Sequence, residues 1–129
     1  MHAVDTNVLV RLLTEDDIEQ TKRAKALFKK VAVFVPKTVM LETEWVLRRL
    51  YRFDSQSVVG AFRKLTGLPN VEIEDPLAVT AALGYCEAGM DFSDALHLAS
   101  SAACEKFATF DAGIKKSAGA DSRGKILVL

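Results

Sequence analysis

Short apolar runs of strand length alternate with helical patterns along the chain, and this alternation limits the fold more than any other feature. Residues 2–4 read as a short buried strand, and residues 31–35 as a second, stopped by Pro36. Residues 106–110 and 125–129 are two more such runs, while residues 70–74 alternate apolar and polar side chains as a half-exposed edge strand does. Between them the signals are helical. Asp17 with Gln20 resembles a capping box opening a helix through Lys30, Asp75-Pro76 sets a cap before a first-turn proline, and Gly67 and Gly89 suit helix ends. Strands separated by helices need right-handed crossovers. The expected fold is therefore α/β: a three-layer α/β/α sandwich around a mainly parallel, about five-stranded central sheet.

At 129 residues, 50% of them hydrophobic, the chain suits a single domain over residues 1–129 with a core covered on both sides. Lys plus Arg and Asp plus Glu number 17 each, so no overall charge draws the protein to nucleic acid or to an anionic membrane; any basic surface must be local. The first residues lack a charged segment followed by a long apolar run, and no apolar stretch reaches membrane-spanning length, so a soluble cytosolic protein with no membrane partner is expected. Cys86 and Cys104 form no CxxC and have no histidines at zinc spacing; they read as reduced core residues.

In such a sheet, ligands bind beyond the carboxyl ends of the strands, and Asp5 and Asp111 each follow a strand-length run. Two more acids stand on helical segments: Glu42, with Trp45 and Val46 at its three and four spacing, and Asp94, three residues after Asp91. Each has a structural alternative. Asp5 can cap a helix, but Thr6 and Asn7 can do so as well. Glu42 is expected to face the apolar side, whereas Glu44 has Arg48 four residues on as a surface partner. Asp91 suits the helix cap and Asp94 the first turn, so Asp94 is assigned to the site and Asp91 kept as a cap or orienting acid. Asp111 is also a turn residue, with Thr109 two residues back to hydrogen-bond beside it. His97 reads as a packed or hydrogen-bonded residue. Acids brought together raise one another's pKa values unless a cation neutralises them, and for an all-oxygen set that cation is Mg²⁺, with Mn²⁺ as a substitute.

Asp5-Thr6-Asn7-Val8-Leu9, Glu42 before Thr43-Glu44-Trp45-Val46-Leu47, the segment from Asp91 through Asp94 to Ala99, and Thr109-Phe110-Asp111 together resemble the PIN-domain family, with the nearest likeness to VapC-type toxins of toxin–antitoxin pairs. The resemblance implies a metal-dependent endoribonuclease with Asp5, Glu42, Asp94 and Asp111 as its acidic quartet, a homodimer, and a cognate antitoxin that blocks the site. Thr6, Asn7, Asp91 and Thr109 would orient the acids or metal-bound water; whether Asp91 or Asp94 touches metal stays open. Hydrolysis by activated water needs no nucleophilic side chain.

An RNA substrate has to be held despite the acids. Arg11, Lys37, Arg48 and Arg49, with Arg52 beyond them, are the candidate phosphate contacts, while Lys22, Arg23, Lys25, Lys29 and Lys30 read as a solvated helix face. Leu9, Leu12, Leu13, Trp45, Leu50, Tyr51 and Phe53 are mostly core, with some left for an antitoxin groove or a dimer contact. Two alternatives stand. One is a PIN-like module whose acids bind an arginine-bearing partner without cutting RNA. The other is an aspartyl-phosphate phosphotransfer or receiver domain, disfavoured because Asn7 stands where the phosphatase has a second aspartate and Asp5 lacks an adjacent acid.

Overall fold

All five strand-length runs form strands, each only two or three residues long: β1 (His2–Ala3), β2 (Val33–Val35), β3 (Val71–Ile73), β4 (Phe107–Thr109) and β5 (Ile126–Val128). The computed structural model describes all 129 residues and sets eight helices between and around these strands. Every strand pair is parallel, as crossover connections require, so the α/β class is as expected. The expected single five-stranded sheet is corrected: the strands form two ladders, one in the order β1-β2-β3 and one of β4 with β5. Apolar runs specify strands but not their partners, and strands this short hold few ladder bonds. The chain divides into two compact units, Met1–Pro76 and Leu77–Leu129.

In the first unit the helices are α1 (Thr6–Thr14), α2 (Ile18–Lys30), α3 (Lys37–Arg49) and α4 (Ser55–Thr66). The capping signal holds at α2, where the Asp17 side chain accepts from the Gln20 N–H at 2.9 Å. Asp54 caps α4 in the same way, accepting from Ser57 N–H at 2.7 Å. α1 packs on α2 and α3, α3 on α4, and α4 on β3. Buried Val58, Val59, Phe62 and Leu65 follow the helical repeat on α4 and join Leu9, Val10, Val33, Val35, Met40 and Leu47 in the core. Asn70 ties the start of β3 to the end of α2 and to the connection after it by donating to the carbonyls of Phe28 and Val31. At the other end of β3, Asp75 takes a left-handed backbone with φ 51° and its carboxylate pairs with Lys37 at 3.0 Å.

α5 (Pro76–Glu87) leads into the second unit, with α6 (Phe92–Ser100), α7 (Ala112–Ser117) and α8 (Ala120–Arg123). α5 buries Ala78, Val79, Ala82, Leu83 and Cys86, one stripe of small and medium side chains, and Gly89 follows it at φ 108°, a conformation that costs glycine nothing. Phe92, Ala95, Leu96, Leu98 and Ala99 on α6, with Met90, Ile114, Ala118 and Ile126, are buried as well.

Three expectations about burial are corrected. Cys86 is buried but Cys104 is exposed, and neither is in a disulfide. Trp45 and Leu50 are 53% and 66% exposed rather than core. α3 turns Met40, Thr43 and Leu47 inward, which leaves Glu42 on the solvated side with Trp45. No helix is long and apolar enough to cross a membrane.

Candidate acidic site

In the first unit, β1 delivers Asp5 to the N-terminus of α1, where its Oδ1 accepts from the Val8 N–H at 3.1 Å. Asp5 is thus the cap itself, and Thr6 and Asn7 lie inside the helix. Thr6 is buried, and its hydroxyl donates a short hydrogen bond to Oε1 of Glu42 across the packing of α1 on α3. The exposed Glu42 therefore meets a hydroxyl rather than the apolar surface its sequence neighbours suggested. One oxygen of Asp5 and one of Glu42 are held in place by these bonds, so the other oxygen of each is left to take a ligand.

The second unit holds the other acids. Asp91 caps α6, its Oδ2 accepting from the N–H groups of Ser93 and Asp94 at 3.1 and 3.4 Å. Asp94 follows in the first turn and engages neither oxygen in a hydrogen bond or ion pair. Asp111 follows β4 and caps α7, accepting from Gly113 N–H at 2.8 Å, while its own N–H donates to Thr109 Oγ1 at 3.0 Å. A Cβ at Gly113 would come within 3.0 Å of Asp111 Oδ1, so the glycine leaves room for the carboxylate. The Asp-Ala-Gly order carried that signal, which sequence reasoning passed over.

Burial pushes the Asp94 carboxyl upward from its ordinary value; the charges of Asp91 and Asp111 push the same way, and His97 pulls weakly against them. None of the three acids is paired with a lysine or arginine. His97 is exposed and lies 3.5 Å from Ser93 Oγ through Nε2, a hydrogen-bonded rather than packed residue. No set of three or more His, Cys, Asp or Glu side chains stands ready as a metal cage. The donors nevertheless suit a hard cation. All are oxygens, and Mg²⁺ is commonly held by one or two carboxylates with water and substrate phosphate completing its shell.

The expected phosphate contacts fare differently. Arg11 donates to Gln20 Oε1 at 2.7 Å, Tyr51 Oη at 3.1 Å and Asp16 at 3.2 Å. Tyr51 in turn donates to Asp16 at 2.5 Å, and this bond, more than any other influence, lowers the Asp16 pKa. Lys37 pairs with Asp75, and Arg48 lies 3.9 Å from Glu44, the i,i+4 partner read from the sequence. Arg49 and Arg52 are exposed.

Fold and site together describe a parallel α/β protein with carboxylates placed after strands and at helix starts. The chain belongs to the PIN-domain family: the PIN domain matches residues 3–120, a stretch that includes Asp5, Glu42, Asp94 and Asp111. PIN domains are generally nucleases and typically use divalent cations such as Mg²⁺. No curated protein matches the chain.

Proposed function

We propose that the protein is a divalent-cation-dependent endoribonuclease and the toxin of a toxin–antitoxin pair, acting as a cytoplasmic homodimer that a cognate antitoxin restrains. The match to the PIN domain over residues 3–120 carries the nuclease reading, and the crowded, unneutralised Asp94 supports it. The toxin role rests on the resemblance to VapC-type chains of four segments in order: Asp5 to Leu9, Glu42 to Leu47, Asp91 to Ala99 and Thr109 to Asp111.

Asp5, Glu42, Asp94 and Asp111 are the residues that would hold Mg²⁺ or Mn²⁺. When bound, such an ion offsets charge on the scissile phosphate and lowers the pKa of water. The chain's own residues set the stage for that chemistry. Thr6 fixes Glu42 in one orientation, and helix capping fixes Asp5 and Asp111, so little ordering is left to pay for when substrate arrives. Asp91 is engaged by two backbone N–H groups, whereas Asp94 has both oxygens available, so Asp94 is the direct ligand and Asp91 its neighbour.

The test is cleavage of single-stranded and structured RNA by wild type, Asp5→Asn and Asp94→Asn, with Mg²⁺ and with EDTA. Wild type should cut only with the cation, and both variants should lose most of the activity. Equal cutting by wild type and variants removes the proposed active site. Growth arrest on expression, abolished by Asp5→Asn, tests the toxin role. A second reading, a PIN-like scaffold whose acids bind an arginine-bearing partner, draws on the absence of a ready three-donor cage; it prevails if folded wild-type protein cuts no RNA.

A further inference from the structure

α2 holds Lys22, Arg23, Lys25, Lys29 and Lys30 but a single acid, Glu19, so a chain of zero net charge is strongly basic along this helix. Lys25 pairs with Glu15. The other four cations are exposed and in no ion pair, and Glu19 does not reach Arg23 four residues on. Seven residues make two turns, so Lys22 stands in line with Lys29 and Arg23 in line with Lys30, each pair about 10 Å apart along the axis. Ala26 is exposed between the two rows. The result is a four-cornered basic face with a small side chain at its centre. The helix dipole favours cations in the last turn, which accounts for Lys29 and Lys30 but not for Lys22 and Arg23 near the middle of the helix.

We propose that Lys22, Arg23, Lys29 and Lys30 form a second anchor for the phosphate backbone of RNA, holding a part of the strand remote from the phosphate at Asp5. The proposal rests on the nuclease reading and adds to it a substrate that extends well past the acidic site. In the parallel ladder of β1 and β2, His2 is level with Val33. Asp5 follows His2 by three residues and Lys30 precedes Val33 by three, so the two lie off opposite ends of the ladder, roughly 20 Å apart at about 3.3 Å per residue. One nucleotide cannot touch both. Unpaired lysine and arginine side chains bind phosphates without regard to base and release counterions as they do so. Other partners fit this face less well. A membrane interface needs a free apolar side, but the apolar side of α2, with Ala24 and Phe28, is buried in the core. Protein interfaces are poor in lysine and rich in aromatic rings, whereas the exposed side of α2 has no ring and one large apolar residue, Ile18, at its start.

The experiment compares wild type with a variant carrying Lys22→Gln, Arg23→Gln, Lys29→Gln and Lys30→Gln, using a long mixed-sequence RNA and the shortest fragment of it that wild type cuts. Glutamine nearly matches lysine and arginine in helix propensity, so the fold should be kept; the paired variant Lys22→Gln with Arg23→Gln repeats the test with half the change. For the long RNA with Mg²⁺, KM should rise about tenfold or more while kcat is unchanged, and cutting of the short fragment should not alter. With Ca²⁺ in place of Mg²⁺, the slope of log affinity against log salt for the long RNA should fall by about 0.7 for each residue replaced. An equal rise in KM on both RNAs overturns the remote placement. Unchanged binding and cutting of the long RNA overturns the anchor, and a changed sedimentation coefficient in the same variant would make the face a protein contact. A lowered salt slope in a protein that never cuts RNA keeps the anchor and removes the nuclease reading; cutting of the long RNA that is indifferent to all four positions does the reverse.

Discussion

Replacing Thr43 by valine should make the protein more stable. Thr43 is fully buried on the inward stripe of α3, and its hydroxyl finds no hydrogen-bond partner. A buried hydroxyl without a partner costs about 1–3 kcal/mol relative to a satisfied one. Valine keeps the β-branched shape, removes that cost and puts a methyl group where the oxygen was. Threonine and valine have nearly equal helix propensity, so the helix itself is not perturbed. For 129 residues the unfolding entropy is about 0.27 kcal/mol/K, so a gain of about 1–3 kcal/mol corresponds to a Tm rise of roughly 4–11 °C. Thermal and urea melts of wild type, Thr43→Val and Thr43→Ser measure it. Serine retains the hydroxyl and leaves a methyl-sized gap, so it should lose about 1 kcal/mol. A valine variant less stable than wild type by 1 kcal/mol or more would refute the reasoning, since it would mean that the hydroxyl has a partner. Glu42 lies on the other side of the same helix, so the variant should bind RNA as wild type does.

Two further predictions concern charge. Asp94 has a raised pKa, so above the unfolded-state value its ionisation removes native stability, a loss that is complete once pH exceeds the folded-state value and absent below the unfolded one. Asp94→Asn should therefore melt higher than wild type at pH 7 in EDTA, with the gap closing as pH falls through the carboxylate range, and Mg²⁺ should raise the Tm of wild type more than that of the variant; a lower Tm for the variant at pH 7 would contradict this. Asp16 has a lowered pKa, with its hydrogen bond from Tyr51 as the largest cause, so its contribution is present above the unfolded-state value and lost as pH falls through the folded one. Tyr51→Phe should move the Asp16 carboxyl titration, followed by NMR, back toward the ordinary value and flatten the acid limb of the stability curve; an unmoved titration would show that Tyr51 is not the cause.

The local chemistry of this chain could be read in one dimension. Asp17 with Gln20, Asp91 before Asp94, Asp111 after Thr109 and Glu44 with Arg48 all interact as their spacing implies, because caps and i,i+4 pairs join residues only a few positions apart. The same holds for the five strands and their parallel sense, since apolar runs divided by helices leave little other choice. Where two patterns competed, local reasoning failed. Trp45 and Val46 suggested an apolar face for Glu42, but Met40, Thr43 and Leu47 supply the buried stripe instead.

The amino-acid order by itself determined the α/β class and the helix caps at Asp17 and Asp91, which depend on short-range periodicity and on donor chemistry. Contacts between distant residues were decided by the tertiary structure alone. Thr6 meets Glu42 across 36 residues, and Arg11 donates to Tyr51 across 40. Solvent leaves Phe110 bare, and two ladders form where one sheet was expected. The physical reason is that hydrogen-bond partners and burial depend on which surfaces meet after the chain has turned back on itself, and spacing along the chain carries no information about that meeting.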